Sequence, residues 1–453
     1  MKKILPIKQR EDIKLFTHHA IPMQIPMVCN LTMGWYMSCF VNIVYKYDKT
    51  QYFNYTDYKM FYQYAIDKDI LSNSAISDIN DKENFLHFIE QEKYIYAWID
   101  QYYVSTSVYG GKVHDIHPMM IYGVDEEADV YYCVAFSLSK SVYTLEVKRE
   151  EYHTALKELL KHWVYINDDD LFILYKLRDN GVADFVLEYF INELKNYTDG
   201  CGVPRTAYYT YNTKYDKPDR FNRSAGGIEV TRVFYEMLGQ ELDQGKEFDY
   251  RILHMICENK KLIADRLQYM LTKYEFSEKI KCLVDQYAVL STEYQNIRLL
   301  SYKYSLYESC GRSTFWLPNN EKHISSLCKK MKSLYEKEKV LLRELLPLLQ
   351  VANMEWIFSD FEIHKSETSG EEMIVELDEE RYVDSVIIYN DYKKYCGKVI
   401  IDGEEISEHD IDYRSLHNFY VVPVNRKIKS CRYIPNKNIG ETFIWLLEPN
   451  KQL

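Results

Sequence analysis

The spacing of apolar residues changes character twice along this chain, and no other feature of the sequence constrains the fold as tightly. Up to about residue 165, helical and strand-like patterns alternate. Phe85, Leu86, Phe88 and Ile89 share a helical face, whereas Tyr94-Ile95-Tyr96-Ala97-Trp98-Ile99-Asp100 is a strand-like apolar run. From about 166 to 350 the period is helical. Phe185, Val186, Tyr189, Phe190 and Leu194 mark one helix, and Val233, Met237 and Leu238 the next. Ile252, Met255, Ile256, Ile263, Leu267 and Met270 mark a third, and Ile324, Leu327, Met331, Leu334, Leu341, Leu342 and Leu345 a fourth. Pro347 predicts termination of that last helix. The final hundred residues switch to short β runs, Met373–Leu377, Ser385–Tyr389, Lys398–Ile401 and Tyr420–Val424, with Asp402-Gly403 as the clearest hairpin turn. The expected class is therefore α+β in three parts: a mixed domain over 1–165, a helical domain over 166–352, and an antiparallel β-sandwich over 353–453.

A chain of 453 residues exceeds what one compact core usually supports, which agrees with several domains. No window reaches the eighteen or so uninterrupted apolar residues of a membrane span, and the basic start Met1-Lys2-Lys3 lacks the apolar stretch of a secretion signal. The ten cysteines have no paired spacing and no CxxC occurs, so reduced thiols in a cytoplasm are expected. His18-His19 has no ligand partner at a useful spacing, so no metal is expected. The formal charge of −12 argues against unspecific nucleic-acid binding, which needs a basic face. The 43 tyrosines are scattered through every segment, as biased genome composition would leave them. Tyr102-Tyr103 and Tyr208-Tyr209-Thr210-Tyr211 read as half-buried packing or the border of an aromatic site.

The chemistry-bearing stretch is Gln24-Ile25-Pro26-Met27-Val28-Cys29-Asn30, followed about ninety residues later by His117-Pro118-Met119-Met120-Ile121-Tyr122-Gly123-Val124-Asp125. A thiol becomes nucleophilic when its thiolate is favoured, as at a helix N-terminus beside a histidine. Pro26 halts regular structure before Cys29, and Leu31, Trp35, Phe40, Val41 and Val44 predict a helix opening near Asn30. His117 opens an apolar run, then comes the acidic turn Asp125-Glu126-Glu127, then a second strand over Val130–Val134. A cysteine helix followed by a histidine hairpin is the papain-like layout. Cys39 is the rival nucleophile, placed by its neighbours Met37 and Phe40 in a core. The Cys29 N–H and the Gln24 amide are candidate oxyanion donors. The strand after the hairpin, Tyr132–Ser137, holds no Asp or Asn to orient the imidazole, and Ser137 is the residue there able to bond it. Asp125 and Asp129 belong to the turn. Three readings follow: an orienter from elsewhere, a dyad working without one, or a site that has lost catalysis.

These motifs resemble the butirosin-biosynthesis BtrH-type family, papain-like proteins similar to bacteriocin-processing peptidases and including amide synthetases of closthioamide assembly. The histidine motif carries the resemblance most clearly. Phe185 through Tyr197, Phe248-Asp249-Tyr250-Arg251, Glu258-Asn259-Lys260 and Arg266 resemble the helical segment of the larger members, although a Glu-His-Lys expected there reads Glu258-Asn259-Lys260 and the family's Asp falls near Ala135. The resemblance covers roughly residues 15 to 300. It implies an acyltransferase in which Cys29 takes an acyl chain from a carrier-protein thioester and His117 serves as base, the chain then passing to an amine. The phosphopantetheine arm of an acyl or peptidyl carrier protein would enter as substrate carrier, with no bound cofactor. Lys329-Lys330 with Lys332, or Arg426-Lys427 with Lys429, would receive that acidic carrier. A cysteine peptidase and a catalytically degenerate scaffold are the alternatives. Asp249, Arg251, Glu258 and Arg266 are otherwise expected to be ion pairs that dock the helices onto the first domain.

Overall fold

The computed structural model describes the chain apart from residues 10–11, 14–16, 29, 40, 47–51, 56–65, 72, 138–140, 163–170, 179–184, 201–223, 244–247, 309–315, 318–320, 358–360, 370–371, 391–396, 408–410, 415–418, 436–441 and 450–453. It is an α+β protein with antiparallel sheets, divided into two compact units, Met1–Arg343 and Glu344–Leu453. No helix among the described residues is long and apolar enough to cross a membrane.

The first unit opens with β1 (Lys2–Ile4), α1 (Thr17–Ala20), two single 3-10 turns (Pro22–Gln24 and Pro26–Val28) and α2 (Asn30–Ser38). Next come β2 (Ile43–Lys46), β3 (Tyr52–Tyr55), β4 (Ile66–Ile70), α3 (Asn73–Ile79), α4 (Lys82–Glu90), β5 (Lys93–Asp100), β6 (Ile116–Asp125), β7 (Val130–Ser137), β8 (Ser141–Lys148), α5 (Arg149–His162) and β9 (Phe172–Leu177). All of these strands but β2 and β3 form one antiparallel sheet in the order β4-β9-β5-β6-β7-β8, with β1 pairing the far end of β6. Local chemistry explains its parts. Asp81 caps α4 by accepting from the N–H groups of Glu83 and Asn84, and the expected stripe buries Phe85 and Ile89. In the β6–β7 turn, Asp125 Oδ1 accepts from Ala128 N–H and Asp129 takes a left-handed φ of 52°, tolerable for Asp. Both faces of the sheet are covered, so β5 and β6 are apolar nearly throughout, with Ile95, Ala97, Met119, Met120 and Ile121 fully buried.

The helical part holds α6 (Leu187–Thr198), β10 (Ser224–Gly226), α7 (Glu229–Asp243), β11 (Phe248–Asp249), α8 (Tyr250–Lys273), α9 (Glu278–Glu308), β12 (Trp316–Leu317) and α10 (Glu321–Ile357). Strand β10 joins β2 and β3 in a small antiparallel sheet. At the centre lies a polar cluster with no exposed atom on its two charged members. Lys260 of α8 pairs with Glu338 of α10 at 3.1 Å. The Glu338 carboxylate also accepts from Tyr197 of α6 and from Tyr287 and Tyr294 of α9, at 2.8, 2.8 and 3.1 Å. Lys260 donates to the Tyr197 hydroxyl as well. Burial pulls the Lys260 ammonium below its usual range, opposed by Glu338.

Three sequence expectations are corrected here. The helix after residue 29 ends at Ser38 rather than running to Val44. Ser38 Oγ bonds back to Gly34 O, and the β-branched pair Ile43-Val44 enters β2 instead. Phe185 and Val186 precede α6 rather than belonging to it, Val186 being its N-cap. Helix α10 passes through Pro347 to Ile357. The ring removes only the bond to Arg343 O, a cost of about 3 kcal/mol, while the fully buried Leu342, Leu345 and Leu349 each contribute about 2 kcal/mol toward holding the helix.

The second unit is antiparallel: β13 (Phe361–Lys365), β14 (Glu367–Ser369), β15 (Glu372–Asn390), β16 (Gly397–Ile401), β17 (Glu404–Glu405), β18 (Asp412–Arg414), β19 (Phe419–Pro435) and β20 (Thr442–Pro449). The two long strands, β15 and β19, pair along their length with register shifts between Glu376 and Arg381 and between Val383 and Ser385. Their two halves carry different neighbours, β14 and β16 on one side of the shifts, β18 and β20 on the other. Both halves feed one core that includes Val375, Ile388, Val399, Val422, Cys431 and Leu446. The Met373–Leu377 and Ser385–Tyr389 runs are thus one bent strand. The Asp402-Gly403 turn has the expected positive φ values of 51° and 89°.

Candidate active site

His117 is the second residue of β6, where the strand emerges from the loop Gln101–Asp115. Backbone pairing sets it opposite Ile99 of β5, and the Gln101 N–H bonds Asp115 O at 2.9 Å. In extended chain, residues two apart point the same way, so Asp115 and His117 share a side. The imidazole Nδ1 lies 2.8 Å from Asp115 Oδ2, the ring is 37% exposed and the carboxylate 20%. Trp98 stacks near the ring at 6.5 Å with an interplanar angle of 19°, and Phe136 of β7 lies at 6.3 Å. A neutral ring that donates Nδ1–H to the carboxylate carries its lone pair on Nε2. The side chain bonded to Nδ1 is Asp115, whereas the sequence candidate for that place was Ser137. Ser137 ends β7, fully buried and paired with Ser141.

Cys29 lies outside the described residues. Helix α1 touches β6, and Ala20, Ile21 and Ile25 share a core with Met119, Met120 and Ile121 of that strand. Lys8 N–H bonds Gln24 O at 2.9 Å and Leu5 N–H bonds Tyr122 O at 2.7 Å, tying the N-terminal segment to both. Gln24 closes its 3-10 turn fully buried, its amide donating to Ala20 O at 2.7 Å. The turn Pro26–Val28 then ends one residue before Cys29, and α2 begins one residue after it.

The other end of α2 is held by α8. Arg266, fully buried, donates to Cys39 O, to Tyr36 O at 3.3 Å and to Leu262 O at 2.9 Å, its guanidinium 4.9 Å from the Tyr36 ring centre. Asn259, seven residues earlier and so on the same helical face, donates to Val41 O at 2.7 Å. Glu258 accepts from the Tyr55 hydroxyl at 2.9 Å. Helix α8 therefore docks onto the first segment, Arg266 and Asn259 through backbone carbonyls and Glu258 through the Tyr55 phenol.

Rival groups are chemically quiet. Cys39 is 1% exposed, just past the end of α2. Burial pushes the Cys133 thiol well up and holds Cys257 and Cys431 up at about 12, so each remains a thiol at neutral pH. His153 of α5 is wedged between Asn80, whose Oδ1 is 2.7 Å from Nδ1, and the Tyr131 hydroxyl, 2.8 Å from Nε2. Burial, helped by Arg149, pushes it down to about 4. His114 pairs with Asp100 at 2.6 Å while stacking on Tyr102, a clasp that closes the loop before β6. Among the described residues no three His, Cys, Asp or Glu side chains converge as a metal site requires. The chain matches no family model, and no curated protein matches it in sequence.

Proposed function

We propose that this protein is a cysteine acyltransferase of the amide-synthetase kind, built on a papain-like core, in which Cys29 and His117 move an acyl group from a carrier-protein thioester to an amine. The observation that carries the reading is the Asp115–His117 pair, a half-exposed imidazole oriented by a carboxylate on the strand against which the segment leading to residue 29 packs. In the mechanism His117 Nε2 takes the Cys29 proton. The thiolate attacks the thioester carbonyl, the pantetheine thiol leaves with a proton, and an amine then attacks the acyl-cysteine while His117 accepts its proton. The Cys29 N–H stabilises the oxyanion. Gln24, its buried amide donating to Ala20 O, and the fully buried Ser137 are given no part in the step. Asp115 favours this reading over a degenerate scaffold, since a spent site has no use for an oriented base.

Iodoacetamide labelling tests the nucleophile: Cys29 should react faster than the other nine cysteines, and equal labelling would remove the enzyme reading. Incubation with an acyl-carrier protein should then give an acyl adduct on wild type and none on Cys29→Ala. A peptidase would instead cleave peptide substrates and leave the carrier thioester intact.

A further inference from the structure

Helix α2 is unusual in what neutralises its C-terminal end. A helix ends with carbonyls that lack intrahelical partners and carry the negative pole of the macrodipole. Here one guanidinium with no solvent exposure meets Tyr36 O, which also accepts from Cys39 N–H, and Cys39 O, one residue past the helix. Each hydrogen bond and ring contact of Arg266 among the described residues goes to a carbonyl or to the Tyr36 ring, none to a carboxylate. Burying an Arg without a counter-ion is expensive unless oriented dipoles replace the lost water. The charge is thus matched to the end of α2. Asn259 extends the same device one step along the chain at Val41 O, and Ser38 Oγ accepts from Val186 N–H at 2.9 Å on the same turn. Donors thus meet Tyr36 and Ser38 in the last turn of α2 and Cys39 and Val41 just beyond it, and the helix's first residue, Asn30, directly follows Cys29 in the chain.

We infer that Arg266, supported by Asn259, is a positioning residue for the nucleophile: by holding the C-terminal end of α2 it sets where the helix begins, and hence where residue 29 stands toward His117. This rests on the Cys29–His117 reading. Arg266 touches no reacting atom and acts only through α2, so it should move the reactivity of Cys29 without changing that of a distant thiol such as the exposed Cys282.

The full-length protein supplies the test. Second-order rates of iodoacetamide alkylation at Cys29 and Cys282 are measured by peptide mass spectrometry from pH 5 to 9, alongside kcat and KM for acetyl transfer from the acetyl thioester of N-acetylcysteamine to hydroxylamine. Arg266→Gln should lower the Cys29-to-Cys282 rate ratio and kcat by about tenfold to a hundredfold, with KM little changed, because a displacement of about 1 Å suffices for such a loss. Arg266→Lys should recover part of it. A folded Arg266→Gln protein with the wild-type ratio and pH profile overturns the inference. If Arg266→Gln does not fold, the decision passes to Asn259→Ala, where a smaller drop supports the inference and an unchanged ratio overturns it. A wild-type Cys29 no faster than Cys282 would instead sink the dyad reading itself, a distinct result.

Discussion

His117 and His153 sit in the same unit, each with both hydrogen-bonding partners and aromatic neighbours, and they have opposite fates. His153 donates Nδ1–H to an amide oxygen and accepts at Nε2 from a phenol, deep beside Phe85 at 4.6 Å, and is held neutral. His117 bonds a carboxylate at Nδ1 and is half-exposed. The first arrangement makes charging costly. The second sets a carboxylate against Nδ1 of a half-exposed ring. The two rings thus differ in the acceptor at Nδ1 and in exposure, not in the aromatic surroundings they share.

Removing each ring should separate the roles. His117→Ala is expected to lower acyl transfer by about a thousandfold or more with the melting temperature unchanged, measured by carrier-deacylation rate and calorimetry. His153→Ala should do the reverse. A loss of activity with stability intact in the His153 variant would break the comparison.

Acid should expose His153. Its folded pKa is depressed from 6.5 to about 4, so its neutral form stabilises the fold fully above pH 6.5, and that stability is lost as pH falls toward about 4, where it levels off. The full swing is worth about 3 kcal/mol. Urea unfolding from pH 7.5 to 4 should show this slope in wild type and a flatter one in His153→Gln. A slope of equal size in both would assign the acid sensitivity elsewhere.

Asp115→Asn should cost about a hundredfold in the acylation rate, less than loss of His117, because the amide oxygen still accepts from Nδ1–H but no longer stabilises the imidazolium. An unchanged rate would demote Asp115 to a loop residue. The smallest effect belongs to Lys329, Lys330 and Lys332, exposed on α10. Changing all three to Glu should raise KM about tenfold for a carrier-borne donor and leave KM for a free pantetheine thioester unaltered.

The parts that could be read in advance were those where one short-range pattern suffices. The α4 stripe, the β6–β7 hairpin and the Asp402-Gly403 turn each declare themselves within ten residues. The Asp115–His117 pair is equally local, since Asp115-Ile116-His117 places two side chains on one side of an extended chain. Long-range partners left no such trace. Nothing in the spacing of Arg266 or Glu338 names the carbonyls of α2 or the tyrosines of α6 and α9, because these bonds join residues 44 to 230 positions apart. Bent strand β15 was split in reading because Asp378-Glu379-Glu380 interrupts its apolar run where the register shifts.

The buried Lys260–Glu338 cluster limits how this chain can change over time. Four helices each send a group to one point, so inserting a single residue ahead of Lys260 in α8 would swing its ammonium by about 100° and strand a carboxylate among phenols. Such helices can be trimmed or lengthened only at their tips, and a homologous segment borrowed from elsewhere would have to arrive with all its contributors together.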